Sequence, residues 1–143
     1  MALVIGRPPK EHDLIEAPIG RIGMKRTTLE RGGKLRDKKE AVTEYRVIQK
    51  FSNYTLLEVS PKTGRTHQIR VHLQHIGHPI AGDPIYAPKA TKDSHNPPRL
   101  FLHAQKISFT TQDGKAMTLE ADLPPELQKF LEELAPPKAH PLF

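Results

Sequence analysis

Fourteen prolines in 143 residues, running from Pro8 to Pro141, most limit what this chain can build. Each fixes φ and lacks a backbone N–H, so the chain must pass through many turns and connections rather than a few long elements. With 36% hydrophobic residues, the expectation is one domain with a modest core. No apolar run is long enough to span a bilayer, and Ala2 to Ile5 is too brief for a signal peptide. Cysteine is absent, which excludes disulfides, thiolate zinc sites and cysteine nucleophiles. A cytoplasmic protein with no membrane partner is expected.

Hydrophobic periodicity and turn residues predict the elements. Ala2 to Gly6 reads as a strand ended by Arg7-Pro8-Pro9, and Leu14 to Ile19 and Arg26 to Glu30 as short strands. Arg31 to Lys39, rich in glycine and lysine, reads as a mobile loop. Val42 to Phe51 and Tyr54 to Val59 form a hairpin around Ser52-Asn53. Gly77 to Pro98 lacks a regular pattern and is a candidate partner-facing loop. Leu100 to His103, Lys106 to Thr111 and Ala116 to Ala121 read as strands, the last two joined through Asp113-Gly114, a strong hairpin signal. Pro125 to Leu134 is a helix with proline in its first turn and Leu127, Phe130, Leu131 and Leu134 on its apolar side. The sum is an α+β fold built on a mainly antiparallel, mixed sheet with few helices.

Between these elements lies Thr63 to Leu73, T-G-R-T-H-Q-I-R-V-H-L, running on to Gly82-Asp83. Ser60 to Gly64 is rich in turn formers, Thr66 is placed to cap a helix, and Ile69, Leu73 and Ile76 recur at helical spacing. Gly77 suits a left-handed stop. A helix from His67 to Ile76 puts His67, Arg70 and Gln74 on one face. Arg65 and Arg70 near its start favour an anion, a carboxylate or a phosphate. In Gly82-Asp83-Pro84 the aspartate reads as a turn-closing side chain. Tyr86 reads as a core anchor with a bonded hydroxyl. His67, His72, His75 and His78 lack an accompanying carboxylate at ligand spacing, so packing and hydrogen bonding, rather than metal, is expected of them. Net charge is +6, and the span Arg21 to Lys50 carries ten basic against four acidic residues, a balance able to neutralise phosphates or simply to be solvated.

T-G-R-T-H-Q-I-R-V-H-L followed by I-G-H-P-I-x-G-D-x-x-Y, Ile76 to Tyr86, resembles the late motif of RluA/RluD-type RNA pseudouridine synthases. Weaker similarity runs over almost the whole chain: Ala2-Leu3-Val4 with Gly6, Thr43 to Phe51, Leu102-His103-Ala104 and Asp122-Leu123-Pro124. The resemblance implies isomerisation of uridine in ribosomal or transfer RNA, on a flipped-out base, with no metal or organic cofactor. It assigns Arg70 as the catalytic arginine that pairs with an aspartate, because an always-charged planar donor holds a carboxylate ionised. Ile69 matches the apolar residue near the base. Lys62, Arg65, Thr66 and His67 are the other candidate substrate-binding residues.

The family's H-R-L-D-x-x-T-S-G motif, which bears that aspartate, and its base-stacking tyrosine are not found in the sequence. Leu35-Arg36-Asp37 is a superficial likeness that continues into Lys38-Lys39. Residues 1–143 are therefore expected to be a single partial domain, the C-terminal part of a synthase catalytic domain, inactive alone, with Arg70 facing a carboxylate from outside this chain. The alternative is a non-catalytic RNA-binding protein derived from that fold. A partial domain is further expected to leave sheet edges unpaired and to self-associate through them.

Overall fold

In the computed structural model, residues 1–23, 25–28, 35–88 and 95–137 are described. Nine strands and two helices form three sheets among them. The largest has four strands in the order β1-β7-β6-β2, from β1 (Ala2–Ile5), β2 (His12–Glu16), β6 (Val42–Lys50) and β7 (Tyr54–Pro61). A three-stranded sheet orders β4 (Lys25–Thr27), β3 (Ile19–Ile22) and β5 (Arg36–Lys39), and β8 (Lys106–Thr110) pairs with β9 (Ala116–Glu120). Every strand pairing among the described residues is antiparallel. The helices are α1 (Gln68–His75) and α2 (Pro125–Glu132).

Both expected hairpins form where turn chemistry placed them. Phe51 N–H bonds Tyr54 O at 2.8 Å to close the Ser52-Asn53 turn. Gly114 takes φ +83 at the β8–β9 turn, where Gly114 N–H bonds Thr111 O at 2.9 Å. Three expectations are corrected. The single strand Leu14 to Ile19 splits into β2 and β3, because Pro18 has no N–H for a ladder and Ala17 N–H goes to Ala41 O instead. Arg36 to Lys39, expected as loop, is β5, paired to β3 despite four exposed side chains. Leu100 to His103 is not a strand beyond one bridge, Leu102 to Ala2. Residues 29–34, which span the end of the expected strand Arg26 to Glu30 and the start of the expected loop Arg31 to Lys39, and 89–94, part of the expected partner-facing loop Gly77 to Pro98, lie outside the described residues.

Leu3, Val4, Leu57, Leu73, Ile80, Phe101 and Leu127 are fully buried in one core, which β1, β7, α1 and α2 enclose. Burying each of these side chains stabilises the fold by roughly 1.5–3 kcal/mol. β1 has a second strand on one side only, yet its other edge is occupied: Ile5 N–H bonds Pro79 O, Ala81 N–H bonds Leu3 O and Leu3 N–H bonds Phe101 O. That edge is not the unpaired one expected of a partial domain. The β8–β9 hairpin differs, since all ten of its residues are exposed. Ile107 pairs with Leu119 and Phe109 with Met117, so four apolar side chains share one of its faces.

Candidate functional site

The motif helix is aimed by polar side chains that bury themselves inside the protein. Its buried stripe is Gln68, Val71, His72 and Leu73, whereas Ile69 and Ile76 are only partly covered. Gln68 Oε1 accepts from Thr63 Oγ1 at 2.6 Å and from Arg65 N–H at 3.0 Å, while its Nε2 donates to Val42 O and Thr43 Oγ1. One amide thus ties the motif loop to the start of β6. His72, fully buried, bonds Ala17 O through Nε2 at 2.8 Å and Thr43 Oγ1 through Nδ1 at 2.7 Å. A carbonyl can only accept, so Nε2 carries the proton and Thr43 donates to Nδ1. Burial pushes the His72 pKa down, against the opposing pull of the Ala17 carbonyl, and the ring stays neutral.

Thr66 is not the helix cap. The cap position is His67, in the left-handed region at φ +53, with no side-chain cap bond. The Gln68 amide already binds the Arg65 N–H at the helix entrance, and the chain turns sharply through His67 to continue into α1. The far end follows expectation. Gly77 takes φ +84, its N–H bonds Gln74 O, and His78 N–H bonds Leu73 O, the paired pattern of a left-handed helix stop.

His67, Arg70 and Gln74 do share a face, and all three meet Tyr86. His67 Nδ1 lies 2.9 Å from the Tyr86 hydroxyl, Gln74 Nε2 donates to Tyr86 O at 3.2 Å, and the Arg70 guanidinium stands 5.1 Å from the Tyr86 ring centroid. Tyr86 is 4% exposed, the bonded core anchor expected. The partner of Arg70 differs from expectation. Nε donates to Asp83 Oδ2 at 2.9 Å and Nη2 to Oδ1 at 2.8 Å, a two-pronged ion pair in which the carboxylate side chain is fully buried and the arginine 14% exposed. Sequence reasoning named only a carboxylate from outside this chain, whereas Asp83 of the chain itself takes the Nε and Nη2 donors of Arg70. The Asp83 turn holds the carboxylate ready, with Ile85 and Tyr86 N–H both donating to Oδ1. Burial alone would raise the Asp83 pKa, but the Arg70 bonds, the two backbone N–H groups and the Arg70 charge outweigh it and hold the group below its ordinary value. The same hydrogen bonds raise the Arg70 pKa.

The remaining candidates fall in separate places. Arg65 and Thr66 line a polar pocket with Arg21, Arg26 and Lys39, and Arg65 Nε donates to Glu40 O at 2.9 Å. Ile69 faces a different cavity, of about 640 Å³, shared with Met1, Val59, Leu102 and Lys106. Lys62 lies at the surface, 3.5 Å from Glu44. Sequence reasoning missed Gln68 and Thr43, whose types carry no signal until tertiary contacts bury them. It also passed over Asp83 as the Arg70 partner, although the match to G-D-x-x-Y marked the segment. Among the described residues no three His, Asp or Glu side chains converge to hold a metal ion, and His75 and His78 bond Thr28 and Ile5 O separately.

Comparison with known proteins adds four findings. A family model described as RNA pseudouridylate synthase matches residues 1–75. An uncharacterized RNA pseudouridine synthase of Chloroflexus aurantiacus is 47% identical over 135 residues, covering 93% of this chain and 40% of that protein. The ribosomal large subunit pseudouridine synthase D of Nitrosomonas europaea is 41% identical over 140 residues, covering 94% of this chain and 40% of that protein. The solved structure of human RNA pseudouridylate synthase domain containing 1 superposes with a TM-score of 0.79 at 25% identity, covering 94% of this chain and 57% of that one. The chain thus spans about two fifths of the length of these curated relatives.

Proposed function

This chain belongs to the RNA pseudouridylate synthase family, and on that premise we propose that it is the C-terminal part of a catalytic domain that isomerises uridine in RNA. The observation that carries the reading is the coincidence of sequence and geometry at α1: the matched segment ends in the helix whose Arg70, His67 and Gln74 are assembled on Tyr86. Ribosomal RNA is the favoured substrate class because a relative 41% identical bears a ribosomal name. The absence of cysteine and an RNA substrate support a cytoplasmic location. Among the described residues no helix is long and apolar enough to cross a membrane.

The reaction breaks the N1–C1′ bond, turns the uracil and joins C5 to C1′, after which C5 gives up its hydrogen and N1 is protonated. It needs no oxidant, metal or organic cofactor. In the proposed site Arg70 remains the arginine that orders the active carboxylate, through the Nη1 edge left by its fork on Asp83. Ile69 packs near the base, at the larger cavity, and Lys62, Arg65, Thr66 and His67 engage the nucleotide and its flanks. The reacting aspartate is supplied by an H-R-L-D-type segment, for which no stretch of this sequence offers a match.

Tritium release from RNA labelled at uridine C5 tests the reading. The 143-residue polypeptide alone is expected to release none, and release is expected when the N-terminal part of the Chloroflexus aurantiacus relative is added. Turnover by the polypeptide alone would remove the need for an aspartate from outside it. No turnover in the mixture, once the two parts are shown to associate, would count against the assignment. Self-association is assigned to the apolar face of the β8–β9 hairpin, where Ile107 is 58% and Leu119 52% exposed. Sedimentation as a monomer at high concentration would discard that assignment.

A further inference from the structure

The three-stranded sheet sets arginines against one another. Arg21 on β3 is the direct cross-strand partner of Arg26 on β4 and of Arg36 on β5. Like charges placed directly opposite weaken a strand pair, so a row of three needs a reason. One counter-charge is present in the pocket beside it, Asp37, which bonds Arg21 Nη2 from a left-handed backbone position at φ +51. Arg21 Nε is buried and has no hydrogen-bond partner among the described residues, although buried guanidinium donors are normally satisfied.

The cations do not scatter. Arg21, Arg26 and Lys39 from this sheet and Arg65 and Thr66 from the motif loop line one open pocket of about 420 Å³. Four cations and one carboxylate give it a formal charge of +3. Arg65, an exposed side chain, is held there by its Nε bond to Glu40 O. Guanidinium forks match the oxygens of a phosphodiester, and an open, strongly positive pocket suits a chain of phosphates better than a buried small anion.

We propose that this pocket is a phosphodiester site that seats the RNA backbone beside the motif helix, with Arg21, Arg26 and Lys39 as contacts additional to Arg65. The proposal rests on the reading of this chain as part of an RNA-modifying domain. It also accounts for Arg21 standing opposite Arg26, since repulsion in the free protein is relieved when phosphates arrive.

Fluorescence anisotropy with a fluorescein-labelled RNA stem-loop, titrated at salt from about 50 to 200 mM, tests it. The variants are Arg26→Gln with Lys39→Gln, the single exposed change Lys39→Glu, and Lys115→Gln on the distant β8–β9 turn. For the double variant the slope of log K against log salt is expected to become shallower by about 1.5, since each lost phosphate contact removes roughly 0.7–0.9. Lys39→Glu is expected to weaken binding by about tenfold or more at low salt. Lys115→Gln is expected to match the parent. Thermal midpoints without RNA are expected to hold or rise in the double variant, which shows that any loss of binding is not loss of fold. A slope equal to that of Lys115→Gln, with binding retained, would overturn the pocket and leave the family reading standing. Absence of salt-dependent binding in the parent would overturn the pocket too, while tritium release from the reassembled domain would still judge the family reading.

Discussion

Replacing Asp83 by Asn exchanges one carboxylate oxygen for an amide nitrogen inside a site where the side chain is fully buried. The volume is kept, and the amide oxygen can still accept from Ile85 and Tyr86 N–H. What is lost is the charge facing Arg70, together with one of the two prongs of the fork. Removing one member of a buried pair costs about 3–5 kcal/mol because the survivor is left charged and unpaired. Arg70 retains 14% exposure and its contact with the Tyr86 ring, so the expected cost is reduced to about 2–4 kcal/mol. Against a total stability of about 5–15 kcal/mol, that is a large fraction.

Urea unfolding at neutral pH reads this directly. With a slope of roughly 1–3 kcal/mol per molar, the midpoint should fall by about 1–2 M. Arg70→Met should cost as much, since it strands the buried carboxylate, and the double variant should recover part of the loss. A coupling of about 2 kcal/mol is expected from the cycle. Acid dependence supplies a second readout. The Asp83 pKa is lowered in the folded protein, so its contribution is present above the ordinary value of 3.8 and is lost as pH falls below that value. Asp83→Asn should abolish that part of the acid transition. Single variants that add to within about 0.5 kcal/mol would refute the reasoning, because they would mean that the fork holds nothing together.

A milder acid transition should come from His72. Its folded pKa is lowered by burial, so the unfolded chain binds the proton first, and stability declines as pH falls below 6.5; His72→Gln should flatten thermal midpoints measured between about pH 7.5 and 5.5, and an unchanged slope would reject a titrating His72. Gly82→Ala should be more damaging than its size suggests, because Gly82 has φ +78 and a Cβ there would stand 2.5 Å from the Arg99 carbonyl oxygen. A loss of about 2–4 kcal/mol, seen as a thermal midpoint lower by about 5–15 °C, is expected. Gly64→Ala, with open space around it, should change the midpoint little; equal effects at both positions would dismiss the close approach.

Local chemistry made several elements legible before tertiary structure entered. Gly77 stops α1, Asp113-Gly114 turns β8 into β9, Ser52-Asn53 turns β6 into β7, and Pro125 opens α2, each because its own backbone preference acts within a few residues. The shared face of His67, Arg70 and Gln74 followed from helical spacing alone, and the turn-closing role of Asp83 from the turn chemistry of Gly82-Asp83-Pro84. β5 was hidden because Arg36 to Lys39 carries no apolar alternation, and it exists only through pairing with β3. The buried stripe of α1 was misjudged for a related reason: Gln68 and His72 count as polar in any pattern, and only the convergence of Thr43, Val42 and Ala17 around them makes burial affordable.

What the sequence by itself determined, then, is both hairpin turns, the two helices, the motif and the charged face of its helix, since these depend on neighbours a few residues away. Tertiary structure alone decided which groups those charges meet. Asp83 reaches Arg70 across thirteen residues, and Arg21 meets Arg26, Arg36 and Arg65 through strand pairing and a loop. Such encounters depend on where the chain returns in space, which no periodicity within a segment encodes.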